Sequence, residues 1–363
     1  GVEGKSVYSV ADGFVSRIFV SGDGFGKALY IEHPNGKTTV YGHLSEFNSQ
    51  IAEYVKAQQY SKKSFELDLA LTAGQFPVSK GNLIAKSGNS GGSGGPHLHF
   101  EIRETIGQIP ENPLNYDFKV KDAKHPEMQK LWVYNHAATG HVEGLQTEKG
   151  FSLNGTAGDY NLSKDTIRAL GSLSFGMAAI DRYSAAQNVC GIYGMTVKVN
   201  GEIIHQQQID KFPFSKKRMV NCHVDYEKRK TEKHFVYRSY IAPGNKLDLY
   251  PVIKNGGKTI IEEGKTYDVT LELFDHTGNV SKLGLTILGQ ARQGSLLSKK
   301  EDVTDIFYPR RENAFSNNSI RINIPEGCLY DTLKFKYDLK PACKECISAV
   351  HSVGKLSDTP LDK

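Results

Sequence analysis

The chain has 363 residues, of which 39% are hydrophobic, 10% aromatic and 23% charged, a length that accommodates two or three domains at roughly 100–200 residues each. No apolar run approaches the ~18 residues of a membrane span, so the composition speaks against disorder and against an integral membrane segment. Forty-five Lys and Arg against 40 Asp and Glu leave a net charge of +5 without any like-charged block, which does not indicate nucleic acid as the main partner.

The chain opens on Gly1 with no initiator Met, charged leader or apolar segment, and its start reads as processed or trimmed. From Ser6 to Leu44, short β-type runs (Val7 to Val10, Phe14 to Val20, Ala28 to His33, Thr38 to Leu44) alternate with glycine turns. Pro34-Asn35-Gly36 predicts a hairpin in which Asn-Gly supplies the positive φ angles of a primed turn. Ser45 is expected to cap a helix that carries Phe47, Ile51, Tyr54 and Val55 at helical spacing, inside a polar stretch running to about Gln75. This makes a helical insertion between strands. Strand character returns at Asn82 to Lys86. The next segment, Ser87 to Pro96, holds Gly88, Gly91, Gly92, Gly94 and Gly95; it reads as the wall of an extended groove in preference to a flexible connection. In His97-Leu98-His99-Phe100-Glu101-Ile102-Arg103 the alternation is strict. Leu98, Phe100 and Ile102 are expected in the core, with His97, His99 and Glu101 together on the other face. Pro110 and Pro113 then close a first domain near residue 118.

Residues 119–290 contain short β-type segments at Trp132 to Tyr134, Met195 to Val199, His234 to Ser239, Leu247 to Tyr250 and Tyr267 to Leu273. Asp275-His276-Thr277-Gly278-Asn279, ahead of Leu283 to Leu288, reads as the last hairpin of an immunoglobulin-like domain. Residues 291–363, with strands at Ile320 to Ile324 and Leu333 to Tyr337, read as a partial second β-sandwich or a C-terminal extension. The expected fold is therefore mainly β: an antiparallel β-sheet domain with a helical insertion over residues 1–118, followed by immunoglobulin-like β-sandwich modules. Cys343-Lys344-Glu345-Cys346 reads as a local disulfide or two free thiols, and the odd total of five cysteines argues against a disulfide framework. The histidines scattered through the later β-rich region lack ligand spacing and read as surface or satisfied core residues.

Two histidines at i and i+2 on one strand face can both reach a small target, and neutral imidazole is a common zinc ligand. A lone His-x-His is weak evidence. Here a glycine run precedes it, and Tyr41-Gly42-His43-Leu44 places a third histidine at the end of another strand.

Gly94-Gly95-Pro96-His97-Leu98-His99-Phe100-Glu101, with Tyr41-Gly42-His43-Leu44 upstream and Val10-Ala11-Asp12-Gly13-Phe14-Val15 near the start, resembles the lysostaphin/LytM-type zinc metallopeptidases over about residues 1–118. That resemblance implies one zinc, held by a His and an Asp of an early His-x-x-x-Asp motif and by the second His of His-x-His. It makes His99 a metal ligand and His43 and His97 the catalytic histidines, with Tyr41, Asn89, Gly94 and Gly95 as candidates for contact with the substrate. None of the 12 histidines is followed by Asp at the fourth position, and the family would place that motif just before Gly1. The implied function is a secreted, zinc-dependent endopeptidase of the periplasm or cell envelope that hydrolyses peptide cross-links of bacterial peptidoglycan, with envelope proteins as candidate partners of the C-terminal modules. The alternative is a non-catalytic module that keeps the groove and binds cell wall or activates another wall hydrolase. Glu101 is either a partner that sets a histidine tautomer or, the favoured reading, a solvated strand carboxylate.

Overall fold

The computed structural model describes residues 1–363 apart from 157, 185, 293, 295–302, 343–347, 355–358, 360 and 362–363. Cys343 and Cys346 lie outside the described residues. The chain divides into two compact units, one of Gly1–Phe118 with Asp210–Phe214, the other of Lys119–Ile209 with Ser215–Lys363.

In the first unit the strands are β1 (Ser6–Tyr8), β2 (Gly13–Val20), β3 (Lys27–Glu32), β4 (Lys37–Gly42), β5 (Leu44–Phe47), β6 (Leu67–Ala70), β7 (Pro77–Val78), β8 (Leu83–Ser87), β9 (His99–Glu104) and β10 (Ile109–Glu111). The larger sheet runs β10-β9-β4-β3-β2-β6, with β7 also on β2, and the smaller runs β1-β8-β5. All of these pairings are antiparallel. Alternation along the strands sends Val15, Ile18, Leu29, Ile31 and Tyr41 into one core, together with Leu44, Ile84 and Ala85 of the smaller sheet. On the opposite face of the large sheet a second cluster forms from Ala28, Tyr30 and Val40, with Phe19 and Phe25 packed against it. This second face carries the histidines.

Helix α1 (Ser49–Lys62) begins one turn later than the sequence predicts. Asn48 is its N-cap, accepting from the Ile51 N–H, while Ser45 lies within β5. Both residues are good caps, but Ser45 sits at the irregularity between Leu44 and Glu46 in the β5–β8 pairing, with its hydroxyl donating to the Ser87 carbonyl at 2.9 Å. Ile51 and Val55, one turn apart, bury the helix's inner face. The β3–β4 hairpin forms, but of Pro34, Asn35 and Gly36 only Gly36 takes a positive φ. The turn is therefore not of the primed two-residue kind. Three residues, Pro34 to Gly36, connect His33 and Lys37, with the His33 N–H donating to the Lys37 carbonyl and the Gly36 N–H to the His33 carbonyl.

The second unit is also built from strands. A fifteen-residue strand, Thr166–Ile180, pairs with Glu127–Asn135 on one side and in parallel with Val280–Gly289 on the other. Glu127–Asn135 in turn pairs with Glu148–Thr156, that strand with Asp159–Leu162, and Asp159–Leu162 with Val280–Gly289, so the ladder returns on itself. Leu131, Val133, Phe175, Met177, Val197, Leu271, Leu283 and Ile287 belong to the core within. The long strand escaped the sequence reading because Gly171, Gly176 and its alanines carry little β signal. Leu247 to Tyr250, expected as a strand, is irregular although Leu247 and Leu249 are buried. The hairpin at Asp275–Asn279 is present, with Phe274 opposite Val280 and the Asp275 carboxylate accepting from the Thr277 and Asn279 N–H groups. Beyond residue 302, Phe307, Ile324, Cys328, Leu329 and Phe335 form a small core of their own, with the rings of Phe307 and Phe335 stacked at 4.5 Å.

Candidate active site of the first unit

The site is built where β4 ends against the start of β9. Gly42 pairs with His99, and a Cβ at Gly42 would stand 3.3 Å from the His99 Cβ, so glycine there gives the histidine room. His43 follows with φ 57°, a left-handed backbone unusual for a residue with a side chain. Strand alternation would have sent His43 to the same face as Tyr41. The left-handed turn redirects it, so that its ring stands 5.6 Å from the His99 ring and 4.7 Å from the His97 ring. The Phe25 ring lies 4.7 Å from His99 and 6.5 Å from His43.

Each imidazole has one nitrogen held by a fixed acceptor. His43 Nδ1 is 2.8 Å from the Ser90 carbonyl oxygen, and His97 Nδ1 is 2.8 Å from that of Gly95. His99 Nε2 is 2.6 Å from Glu101 Oε1. Carbonyls and carboxylates only accept, so the facing nitrogens carry the hydrogens. His43 Nε2, His97 Nε2 and His99 Nδ1 are thereby left as lone-pair nitrogens, the form that takes a proton or binds a metal.

Glu101 is the chief correction at the site. It is not a solvated carboxylate: its side chain is largely buried, bonded to His99 through one oxygen and to Arg103 Nε through the other at 2.5 Å. Burial works to raise its pKa, and the His99 and Arg103 partners outweigh that, leaving it below the ordinary 4.5. Arg103, 6% exposed, stacks its guanidinium on the Tyr30 ring at 5.4 Å. The sequence offered parity as the only signal for this pair.

Other candidates are placed as follows. Tyr41 is 1% exposed in the core, its hydroxyl accepting from the Val10 N–H, so it does not line the histidine surface as expected of a substrate contact. Leu98, expected in the core, is 38% exposed, because β9 begins only at His99 and the preceding residues follow the glycine loop. Phe100 and Ile102 do pack inward. Asn89 and Gly94 are exposed and Gly95 half-exposed, and a Cβ at either glycine would meet nothing within 4 Å. Gly91 differs. Its φ is +72° and a Cβ there would fall 2.3 Å from the Gly26 nitrogen, so this part of the loop is a close backbone contact and not an open wall. A cleft of about 700 Å³ opens elsewhere in the unit, among residues that include His33, Lys37, Ile102 and Tyr116, and none of the three histidines lines it.

Imidazoles with bare nitrogens suit zinc, yet among the described residues no group of three or more His, Cys, Asp or Glu is arranged to hold a metal ion. The described donors thus do not by themselves make the three-ligand site that tight zinc binding uses. No helix among them is long and apolar enough to cross a membrane.

Parts of the chain are similar in sequence to known proteins. Residues 1–61 match the family described as peptidase family M23, and residues 304–363 match a Zu5-like domain. An uncharacterized metalloprotease of Haemophilus influenzae is 35% identical over 112 residues, 31% of this chain and 18% of that protein. The DD-carboxypeptidase/endopeptidase Mpg of Neisseria meningitidis serogroup B is 33% identical over 113 residues, 31% of this chain and 20% of that one. The chain thus spans about a fifth of the length of these relatives. The solved catalytic domain of the antimicrobial peptidase lysostaphin from Staphylococcus simulans is 22% identical, covering 32% of this chain and 72% of that one, with a TM-score of 0.24. The first unit resembles the M23 metallopeptidases, of the lysostaphin/LytM type to which its Tyr-Gly-His-Leu and Gly-Pro-His-Leu-His segments point.

Proposed function

We propose that this protein is a zinc-dependent endopeptidase that hydrolyses peptide cross-links of bacterial peptidoglycan at the cell envelope. The observation that carries the reading is the cluster of three imidazoles, 4.7 and 5.6 Å from ring to ring, each with one nitrogen tied back and one bare. His99 offers Nδ1 as one metal ligand, and the remaining ligands are not among the described residues. His43 and His97 flank it with Nε2 bare, positioned to take a proton from water and to return one to a leaving amine. The M23 match and the endopeptidase named among the relatives support a peptide of the cell wall as substrate. Asn89, Gly94 and Gly95, on the open part of the loop, are the contacts proposed for it. The C-terminal modules are proposed to meet envelope proteins.

A non-catalytic wall-binding module is the second reading, favoured by the lack of a three-donor group among the described residues. One experiment separates the two: release of fragments from purified peptidoglycan by the full-length protein, alongside its zinc content. The enzyme reading expects zinc near one equivalent and a loss of about 10²-fold or more in His97→Ala with the fold preserved, the usual scale for removing a general acid or base. Full activity in that variant refutes the assignment.

A further inference from the structure

The segment Asp210–Phe214 lies more than a hundred residues beyond β9 in sequence, yet it belongs to the first unit. It is tied along the β9–β10 edge. The Asn112 N–H donates to the Asp210 carbonyl at 2.6 Å, Lys211 bridges Glu111 through the backbone, and Lys211 Nζ reaches Glu104 at 2.5 Å. Its last residue, Phe214, sets its ring 4.9 Å from the Arg103 guanidinium, on which Tyr30 also stacks. Phe214 remains 46% exposed, while Arg103 is buried. An aromatic ring that half-faces water yet covers a buried cation is spending its apolar surface on that cation.

We infer that Phe214 and Arg103 are positioning residues for His99: the strap covers the guanidinium, the covered guanidinium holds Glu101, and Glu101 holds the hydrogen on His99 Nε2, keeping Nδ1 bare and turned toward His43 and His97. The inference rests on the reading of His99 as a working imidazole and adds a residue from a distant stretch of chain to its support. Dehydration is the physical link. A charge-assisted hydrogen bond strengthens as water is kept from it, so the Glu101 contact adds most to imidazole's own preference for the Nε2–H tautomer when it is short and dry.

The test is the tautomer of His99 in the ¹⁵N-labelled, metal-free full-length protein at pH 8, read from ring-nitrogen shifts. The wild type is expected to hold the Nε2–H form. Phe214→Ala should raise the Nδ1–H form about threefold or more, Phe214→Trp should restore the wild-type ratio, and Glu101→Ala should shift it furthest. Phe214→Leu, which keeps apolar volume without a ring face, gives a second reading should the alanine variant disturb the strap. An unchanged ratio in both Phe214→Ala and Phe214→Leu, with β9 protected from hydrogen exchange as in the wild type, overturns the inference. Where the wild type hydrolyses peptidoglycan, Phe214→Ala should lower kcat with little change in KM. A wild type without hydrolysis would sink the proposed function, and the tautomer ratio would still decide the role of Phe214.

Discussion

Glu101→Ala isolates the interaction on which the histidine face depends. In the wild type the carboxylate lies between His99 Nε2 at 2.6 Å and Arg103 Nε at 2.5 Å, with side-chain exposures of 15% for Glu101 and 7% for Arg103. Removing one partner of a buried charged pair costs about 3–5 kcal/mol, because the other charge is left without compensation. Arg103 would keep its ring contacts with Tyr30, Phe25 and Phe214 and a long contact of 3.5 Å to Gln108 Oε1. These bring the expected loss to or just below the lower end of that range, about 2–3 kcal/mol, a large part of the roughly 5–15 kcal/mol by which a domain is stable. The assay is native-state hydrogen exchange of the intact protein, read at β4 and β9, where opening free energies should fall by that amount. Glu101→Gln keeps the shape and one acceptor and should lose less. The double variant Glu101→Ala with Arg103→Met removes both charges and should recover most of the loss, since an apolar replacement of a whole buried pair is often neutral. A single-variant cost below about 0.5 kcal/mol, or a double variant worse than the single, would refute the account of a dehydrated, mutually dependent pair.

Gly91→Ala should destabilise the first unit by about 2 kcal/mol or more, since a left-handed residue with a side chain costs roughly 1–2 kcal/mol before the clash with the Gly26 nitrogen at 2.3 Å is counted. Gly94→Ala, with nothing within 4 Å, should stay within about 0.5 kcal/mol. Exchange rates in the same loop compare the two, and equal effects would contradict the close-contact reading of Gly91. In the second unit, burial, helped by nearby Asp275, Asp122 and Glu127, lifts the Asp181 carboxyl from 3.8 to about 6 despite the Arg182 N–H. A raised acid favours the fold while protonated, below the ordinary 3.8, and that contribution is lost as pH rises through about 6. Asp181→Asn should therefore stabilise the unit at pH 7.5 by up to ~3 kcal/mol and do so much less at pH 4, at about 1.4 kcal/mol for each pH unit of displacement. Unfolding followed by Trp132 fluorescence checks this, and a gain independent of pH would exclude the electrostatic cause.

Much of the first unit was legible because its signals are local. Hairpins announce themselves through glycine turns, helix α1 through Ile51 and Val55 one turn apart, and the shared face of His99 and Glu101 through a strand period of two. The errors fall where a neighbouring element overrode a local preference. Sheet pairing made Ser45 a strand residue and passed the cap to Asn48. Leu98 missed the core because β9 starts only at His99, two residues later than the alternation predicts.

The sequence by itself determined the chemistry on offer: a β-rich chain, three histidines in two short motifs, and a carboxylate two residues from one of them. Tertiary structure decided how these are used. A left-handed turn at His43 separates its direction from that of Tyr41, a choice made by φ and invisible to alternation. The Arg103 partner of Glu101 is capped by Phe214, and no period or motif relates residues so far apart; only the folded backbone, by returning Asp210–Phe214 to the first unit, brings the aromatic ring to the buried charge.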